Sequence, residues 1–139
     1  MAPAIDDIAD MSKAICAFSQ AVTSMITAWR KLFRHWLDTG QKVVLWGSGS
    51  KAVGFLTTIA QHETISGVVD INPARHGRYM PGVPAPIIPP EHLRRIRPDH
   101  LILMNPIYES EVRAMLATLG LSPKFYSPAG HPLPSELQT

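Results

Sequence analysis

The sequence predicts an α/β domain of three layers: a short parallel sheet of four to five strands with helices on its faces, preceded by a long N-terminal helix. Three observations predict it. From residue 42 onward, short apolar runs alternate with helical stretches, the order that builds a parallel sheet through right-handed crossovers. A glycine-rich turn directly follows the first of these runs. The 13 prolines are divided unevenly, with Pro3 alone near the start and twelve from Pro73 onward. The first half is therefore free to hold long elements, and the second half is restricted to short elements and turns.

The first element is a helix over residues 5–37. Ile8, Met11, Ile15, Phe18, Val22, Met25, Trp29, Leu32 and Trp36 alternate spacings of three and four, the heptad rhythm of a helix with one apolar seam. Asp6, Asp7 and Asp10 sit at its start and Arg30, Lys31, Arg34 and His35 at its end, which suits the helix dipole at both ends. Gly40 supplies the stop. Such a helix is about 50 Å long, longer than the body that follows, so part of the seam is expected to pack on that body and part on another surface.

Lys42–Trp46 reads as a buried strand, continuous and β-branched. Gly47-Ser48-Gly49 then leads into a helix from about Ser50 to Gln61. Gly67–Asp70 is a second strand that ends in an acid. Residues 71–90 are a proline- and glycine-rich loop with one short strand at Ala85–Ile88. Glu91–Ile96 is a short helix and His100–Met104 a further buried strand. Asn105-Pro106 opens a helix running to about Leu119, Gly120 ends it, and Lys124–Ser127 is the last strand. The organisation expected is thus residues 1–40 as an interface or packing helix, 41–127 as the α/β domain, and 128–139 as a loose tail.

Composition excludes several classes. The chain has 139 residues, 45% of them hydrophobic, which fits one globular domain and no more. A net charge of +2 gives no case for a nucleic-acid partner. Cys16 is the single cysteine, so an internal disulfide and a cysteine-based zinc site are excluded, and a cytoplasmic location is expected. The six histidines show no metal-ligand spacing, and no metal site is expected. Ala14–Trp29 lacks charge, but it is shorter than a membrane span and carries Ser19, Gln20, Thr23, Ser24 and Thr27, so no membrane partner is expected.

The strongest chemical signal is Gly47-Ser48-Gly49-Ser50-Lys51-Ala52, which matches G-x-G-x-x-A between a strand and a helix. In a Rossmann-like unit the first glycine permits the tight turn. The second lets a phosphate approach the backbone, and the alanine lets the helix pack on the sheet. Free N–H groups at the helix start favour an anion, and Lys51 either meets a phosphate or stays solvated. Asp70 follows Gly49 by 21 residues, where a ribose-hydroxyl acceptor stands in such folds. Asn105 and Tyr108 follow a central strand at the same carboxyl edge, where open sheets bind ligands. Asn105 is equally suited to be a helix cap. Arg75, His76 and Arg78, and also Arg94, Arg95 and Arg97, either meet a diphosphate or form a solvated face.

Several short motifs, in order, resemble one family. Val43-Val44-Leu45-Trp46-Gly47-Ser48-Gly49-Ser50-Lys51, Val69-Asp70-Ile71-Asn72-Pro73, Gly77-Arg78-Tyr79, Pro81-Gly82 and Met104-Asn105-Pro106-Ile107-Tyr108 look like the C-terminal domain of S-adenosylmethionine-dependent sugar C-methyltransferases. The resemblance runs from the long helix to about residue 127. It departs at Ser48 and Ala52, where the family loop carries Ala and Gly, and at Val83-Pro84, where a P-G-T-G stretch is usual.

The resemblance implies a Rossmann-like fold that closes the sugar-nucleotide side of a cleft. It places the zinc site, the methyl donor and the catalytic residues in other domains. No catalytic residue is therefore expected here, and S-adenosylmethionine is not expected to bind this domain. The expected ligand residues are Gly47, Ser48, Gly49, Ser50, Lys51, Asp70, Asn72, Asn105 and Tyr108. The function expected is binding of a nucleotide or nucleotide-sugar, or assistance to a separate methyltransferase subunit. The long helix serves a homodimer or that subunit. The alternatives are a small NAD- or nucleotide-sugar-modifying enzyme domain, or a non-catalytic dimeric scaffold.

Overall fold

A computed structural model describes residues 5–59 and 62–128. The tail expected at 128–139 lies outside the described residues from 129 onward, and so does the expected end of the second helix at Gln61. The long helix α1 spans Ile5–Asp38 and ends at Gly40, whose φ of 70° is the left-handed conformation that glycine adopts without a Cβ clash. After it come β1 (Val43–Trp46), α2 (Ser50–Ile59), β2 (Ile65–Val69), β3 (Ile87–Ile88), α3 (Leu93–Ile96), β4 (His100–Leu103), α4 (Glu109–Thr118) and β5 (Lys124–Tyr126). Each element expected from the sequence is present. β2 begins two residues before its expected start, so Asp70 stands just beyond the strand rather than at its last position. The helix expected from Asn105 begins as a 3-10 turn over Pro106–Tyr108 and becomes α-helical at Glu109.

The five strands are all parallel, in the order β3-β2-β1-β4-β5. β1 lies at the centre, and the chain leaves it in one direction for β2 and β3 and in the other for β4 and β5. That reversal opens a crevice at the carboxyl ends of β1 and β4, the switch point where open parallel sheets bind ligands.

Both faces of the sheet are covered, which is why the strands read as unbroken apolar runs. In β1, Val43 and Leu45 join one core with Leu56 and Ile59 of α2 and with Trp29, Leu32, Phe33 and Trp36 of α1. Val44 and Trp46 point the other way, into a core with Leu93 of α3 and Val112 and Leu116 of α4. Period-two alternation thus builds three layers from a four-residue strand. Burying each large apolar side chain contributes about 1.5–3 kcal/mol. On the α1 side the core is aromatic: Trp29 meets the Phe33, Phe55 and Tyr126 rings edge-on. His100 stacks on Trp36 at 4.1 Å between centroids, and Nδ1 of the ring faces the Tyr126 hydroxyl at 3.1 Å. It is a core histidine rather than a ligand.

The heptad seam of α1 divides in two. Leu32 is 3% and Trp36 2% exposed, whereas Met11 is 60%, Ile15 62% and Phe18 72% exposed. Arg30 fastens the buried half to α2 by donating to the carbonyls of Thr58 and Ile59 at 2.9 and 3.3 Å, the last orphan acceptors of that helix. No helix among the described residues is long and apolar enough to cross a membrane.

Candidate functional site

The site grows from the turn after β1. Gly47 has φ +113°, a conformation that side chains rarely adopt, and a Cβ there would lie 3.3 Å from Cβ of Met104. Its N–H donates to the Val69 carbonyl at 2.7 Å, which extends the β1–β2 pairing by one rung. The Gly49 carbonyl then accepts from the N–H groups of Ala52 and Val53 at 3.0 and 3.2 Å, and this starts α2. Ala52 is fully buried, so a larger residue would push the helix off the sheet. Among the described residues, nothing accepts from the N–H groups of Gly49, Ser50 and Lys51. These are the orphan donors of the first helical turn, at the positive end of its dipole.

Gly49 differs from Gly47. Its φ is ordinary, and a Cβ there would meet only a guanidinium nitrogen of Arg75 at 3.8 Å. The fold does not require glycine at 49, but a ligand approaching the backbone there does.

Asp70 is held by the protein itself. Its Oδ2 accepts a close hydrogen bond from the Ser48 hydroxyl and another from the Ser48 N–H at 3.2 Å. Its Oδ1 accepts from the Asn72 N–H at 2.9 Å. Arg75 lies 3.6 Å from Oδ2 and also donates to Ser48 Oγ at 3.2 Å. Burial alone would raise the Asp70 pKa, but the Ser48 hydroxyl, the Asn72 and Ser48 N–H groups and the Arg75 charge outweigh it. They hold the carboxyl below its usual range. The ring of His76 lies against the Asp70 carbonyl, so that ring nitrogen is the donor. Asp70 is thus a latch between the end of β2 and the glycine loop, with Ser48 as its main partner.

A cleft of ≈ 490 Å³ opens at the switch point. Of the residues expected from the sequence, Gly47, Gly49, Ser50, Lys51, Asp70, Asn105 and Tyr108 line it. Ser48 and Asn72 do not. Ser48 is buried behind the loop on Asp70, and the Asn72 side chain accepts from the Ala74 N–H at 3.1 Å, capping the turn that carries Arg75. Asn105 does both jobs, lining the cleft and accepting from the Ile107 N–H at 3.4 Å. The Arg75 guanidinium stands beside Gly49, but neither Arg75 nor Arg94, Arg95 or Arg97 lines the cleft.

The opposite wall starts at Tyr108, expected from the sequence, and continues on α4 with three residues that were not. Tyr108, Glu111, Val112 and Met115 line it together, and Ile71 adds an exposed apolar side chain from the end of β2. The spacing of three, four and seven after Tyr108 was a signal in the sequence that would have placed them on one helical face. Among the described residues Glu111 has no ion-pair partner, so the uncommitted carboxylate of the cleft is Glu111 and not Asp70. Among the described residues no cluster of acids, histidines or cysteines is able to hold a metal ion.

Comparison with known proteins agrees with this architecture. The UDP-D-quinovosamine 4-dehydrogenase of Vibrio fischeri superposes with a TM-score of 0.50 at 18% identity, over 70% of this chain and 83% of that one. RSP, a Rex-family repressor, superposes with a TM-score of 0.47 at 19% identity, over 68% of this chain and 48% of the repressor. At 18% identity the likeness to the dehydrogenase is one of fold alone. No curated protein sequence matches the chain. The family of C-methyltransferase C-terminal domains matches residues 7–125, from the first turns of α1 into β5. The chain therefore belongs to the C-methyltransferase C-terminal domain family.

Proposed function

We propose that this domain is a binding module that holds a nucleotide or nucleotide-sugar for a methyl-transfer reaction whose donor site and catalytic groups lie in other domains or in a separate subunit. One observation carries the reading. The cleft at the switch point joins three unpartnered N–H groups and Lys51 on one wall to an apolar, hydroxyl- and carboxylate-bearing wall on the other. The first wall suits a diphosphate, because orphan N–H groups and the helix dipole both favour an anion. The second suits a base or sugar, with Tyr108 and Met115 for its flat face and Asn105 and Glu111 for its hydroxyls.

In this reading Gly47, Gly49, Ser50 and Lys51 meet the ligand, and Arg75 turns from Asp70 to a phosphate at the rim. Ser48, Asp70 and Asn72 position the loop. The catalytic function stays with other parts of the system, and residues 41–127 form the module. The exposed half of α1 is its docking surface, for a second copy or for a methyltransferase subunit. A small NAD-dependent enzyme remains the competing reading, favoured by the G-x-G-x-x-A loop alone.

Calorimetric titration separates the two. UDP, UDP-sugars and thymidine diphosphate are expected to bind, and S-adenosylmethionine is not. A ligand at a hundred times its Kd adds about 2.7 kcal/mol of stability, visible as a rise in Tm. Binding of NAD⁺ with no binding of any nucleoside diphosphate would sink the proposal.

A further inference from the structure

The exposed half of α1 continues a seam that its other half buries. From Met11 to Met25 the inner positions alternate between β-branched residues (Ile15, Val22) and Met11, Phe18 and Met25. The flanking positions Ser12, Ala14, Ser19 and Ala21 are small and uncharged, so nothing there repels an identical helix or steers a charged one.

The seam also runs into a groove of ≈ 410 Å³. Val22, Met25 and Ile26 of α1 form one side, and Gly54, Phe55 and Thr58 of α2 the other. A Cβ at Gly54 would have nothing within 4 Å, so the α2 side is open to a neighbouring backbone. Lys51 lines the same groove.

We propose that this seam and groove bind a second copy of the chain, with the two α1 helices antiparallel. The geometry selects that direction. From Trp29 onward the seam is covered by the chain's own α/β body. In a parallel pair each body would stand where the other copy's helix must continue. In an antiparallel pair the free halves overlap over 8–25, about 27 Å, and the bodies lie at opposite ends. The register then sets Ile15 against Phe18 of the other copy and Met11 against Val22, each pairing occurring twice. The start of one helix, which carries the exposed Asp10, comes alongside the groove that carries Lys51 in the other, and the two helix dipoles oppose.

This inference rests on the reading of α1 as a docking surface, and it is tested without ligand because Lys51 lines both the cleft and the groove. Sedimentation equilibrium of the full chain is expected to give twice the chain mass. Phe18→Asp is expected to give the single mass with an unchanged circular-dichroism spectrum, since Phe18 is exposed in the isolated chain. Orientation is tested by disulfide trapping in a Cys16→Ser background. The Ser12→Cys/Ser19→Cys variant is expected to form linked dimers on mild oxidation, because those flanks meet only in the antiparallel pair. The Ala14→Cys/Ser19→Cys variant, whose flanks meet only in a parallel pair, is expected to stay unlinked. A wild-type chain that stays monomeric at the highest attainable concentration overturns self-pairing and leaves the seam to a different subunit. A dimer that survives Phe18→Asp overturns the docking surface itself. Linking of the second cysteine pair instead of the first overturns the antiparallel arrangement.

Discussion

The two halves of α1 carry one apolar rhythm and meet opposite fates. Trp29, Leu32 and Trp36 are sealed into the sheet face, whereas Met11, Ile15 and Phe18 on the same seam stand in solvent. The same division recurs in the cleft. Gly47 is demanded by the backbone, and Gly49 is not. Asp70 is taken up by Ser48, Asn72 and Arg75, and Glu111 is left over. In each pair one member is consumed by the fold and its twin remains available. A pattern in the sequence thus states that a residue will be used, and only packing states by what.

The largest expected effect breaks the contrast within α1. Trp36→Ala empties a buried, ring-stacked site and is expected to destabilise the chain by about 3–5 kcal/mol. Phe18→Ala, at low chain concentration where pairing contributes nothing, is expected to stay within about 0.5 kcal/mol. Urea denaturation of both variants checks this, and equal losses would mean that the exposed half is covered within a single chain.

The glycine pair comes next. Gly47→Ala must adopt a φ reserved for glycine while crowding Met104, and is expected to cost about 1–3 kcal/mol. Gly49→Val is expected to leave the Tm nearly unchanged and to abolish nucleotide binding by calorimetry. Equal Tm losses at both positions would return Gly49 to a purely structural role.

A smaller effect sharpens the contrast between the carboxylates. Ser48→Ala removes the hydroxyl shared by Asp70 and Arg75 and is expected to cost about 1 kcal/mol. Glu111→Gln is expected to leave the denaturation midpoint alone and to weaken binding of a nucleotide-sugar more than that of the bare diphosphate.

The smallest effect is a pH dependence. Because the folded Asp70 carboxyl is held below its usual range, its stabilising contribution is complete above the unfolded pKa of about 3.9. It is lost as pH falls from there through the folded value. The stability gap between wild type and Asp70→Asn is therefore expected to be constant near neutrality and to narrow below about pH 4. A gap that widened on acidification would contradict the latch.

Much of the fold was legible because its signals are local. Heptad spacing, the continuous runs of β1 and β4, Gly40 and Gly120 as stops, and the alternation of elements all act within a few residues. The start of β2 was less legible. Ile65-Ser66 carries little apolar signal by itself, and it joins the sheet by pairing with β1. The site was half legible. The loop and Asp70 follow from spacing, but Ser48 was read as a ligand contact when its hydroxyl is occupied by Asp70. Arg75 was one of six arginines and histidines with equal claims, and only the Asn72-capped turn brings it over Gly49. The rest of the wall beyond Tyr108 was overlooked because Glu111, Val112 and Met115 become a surface only when β4 places α4 against the crevice.

The central claim is that the N–H groups left free at the start of α2 are the phosphate site. Amide-resolved NMR of the ¹⁵N-labelled chain, titrated with UDP, tests it directly. The account predicts that the largest shifts fall on the Gly49, Ser50 and Lys51 amides, followed by Gly47 and the Asn105–Tyr108 turn, and that Gly49→Val removes them. Saturable shifts centred elsewhere, with the Gly49–Lys51 amides unmoved, would contradict it.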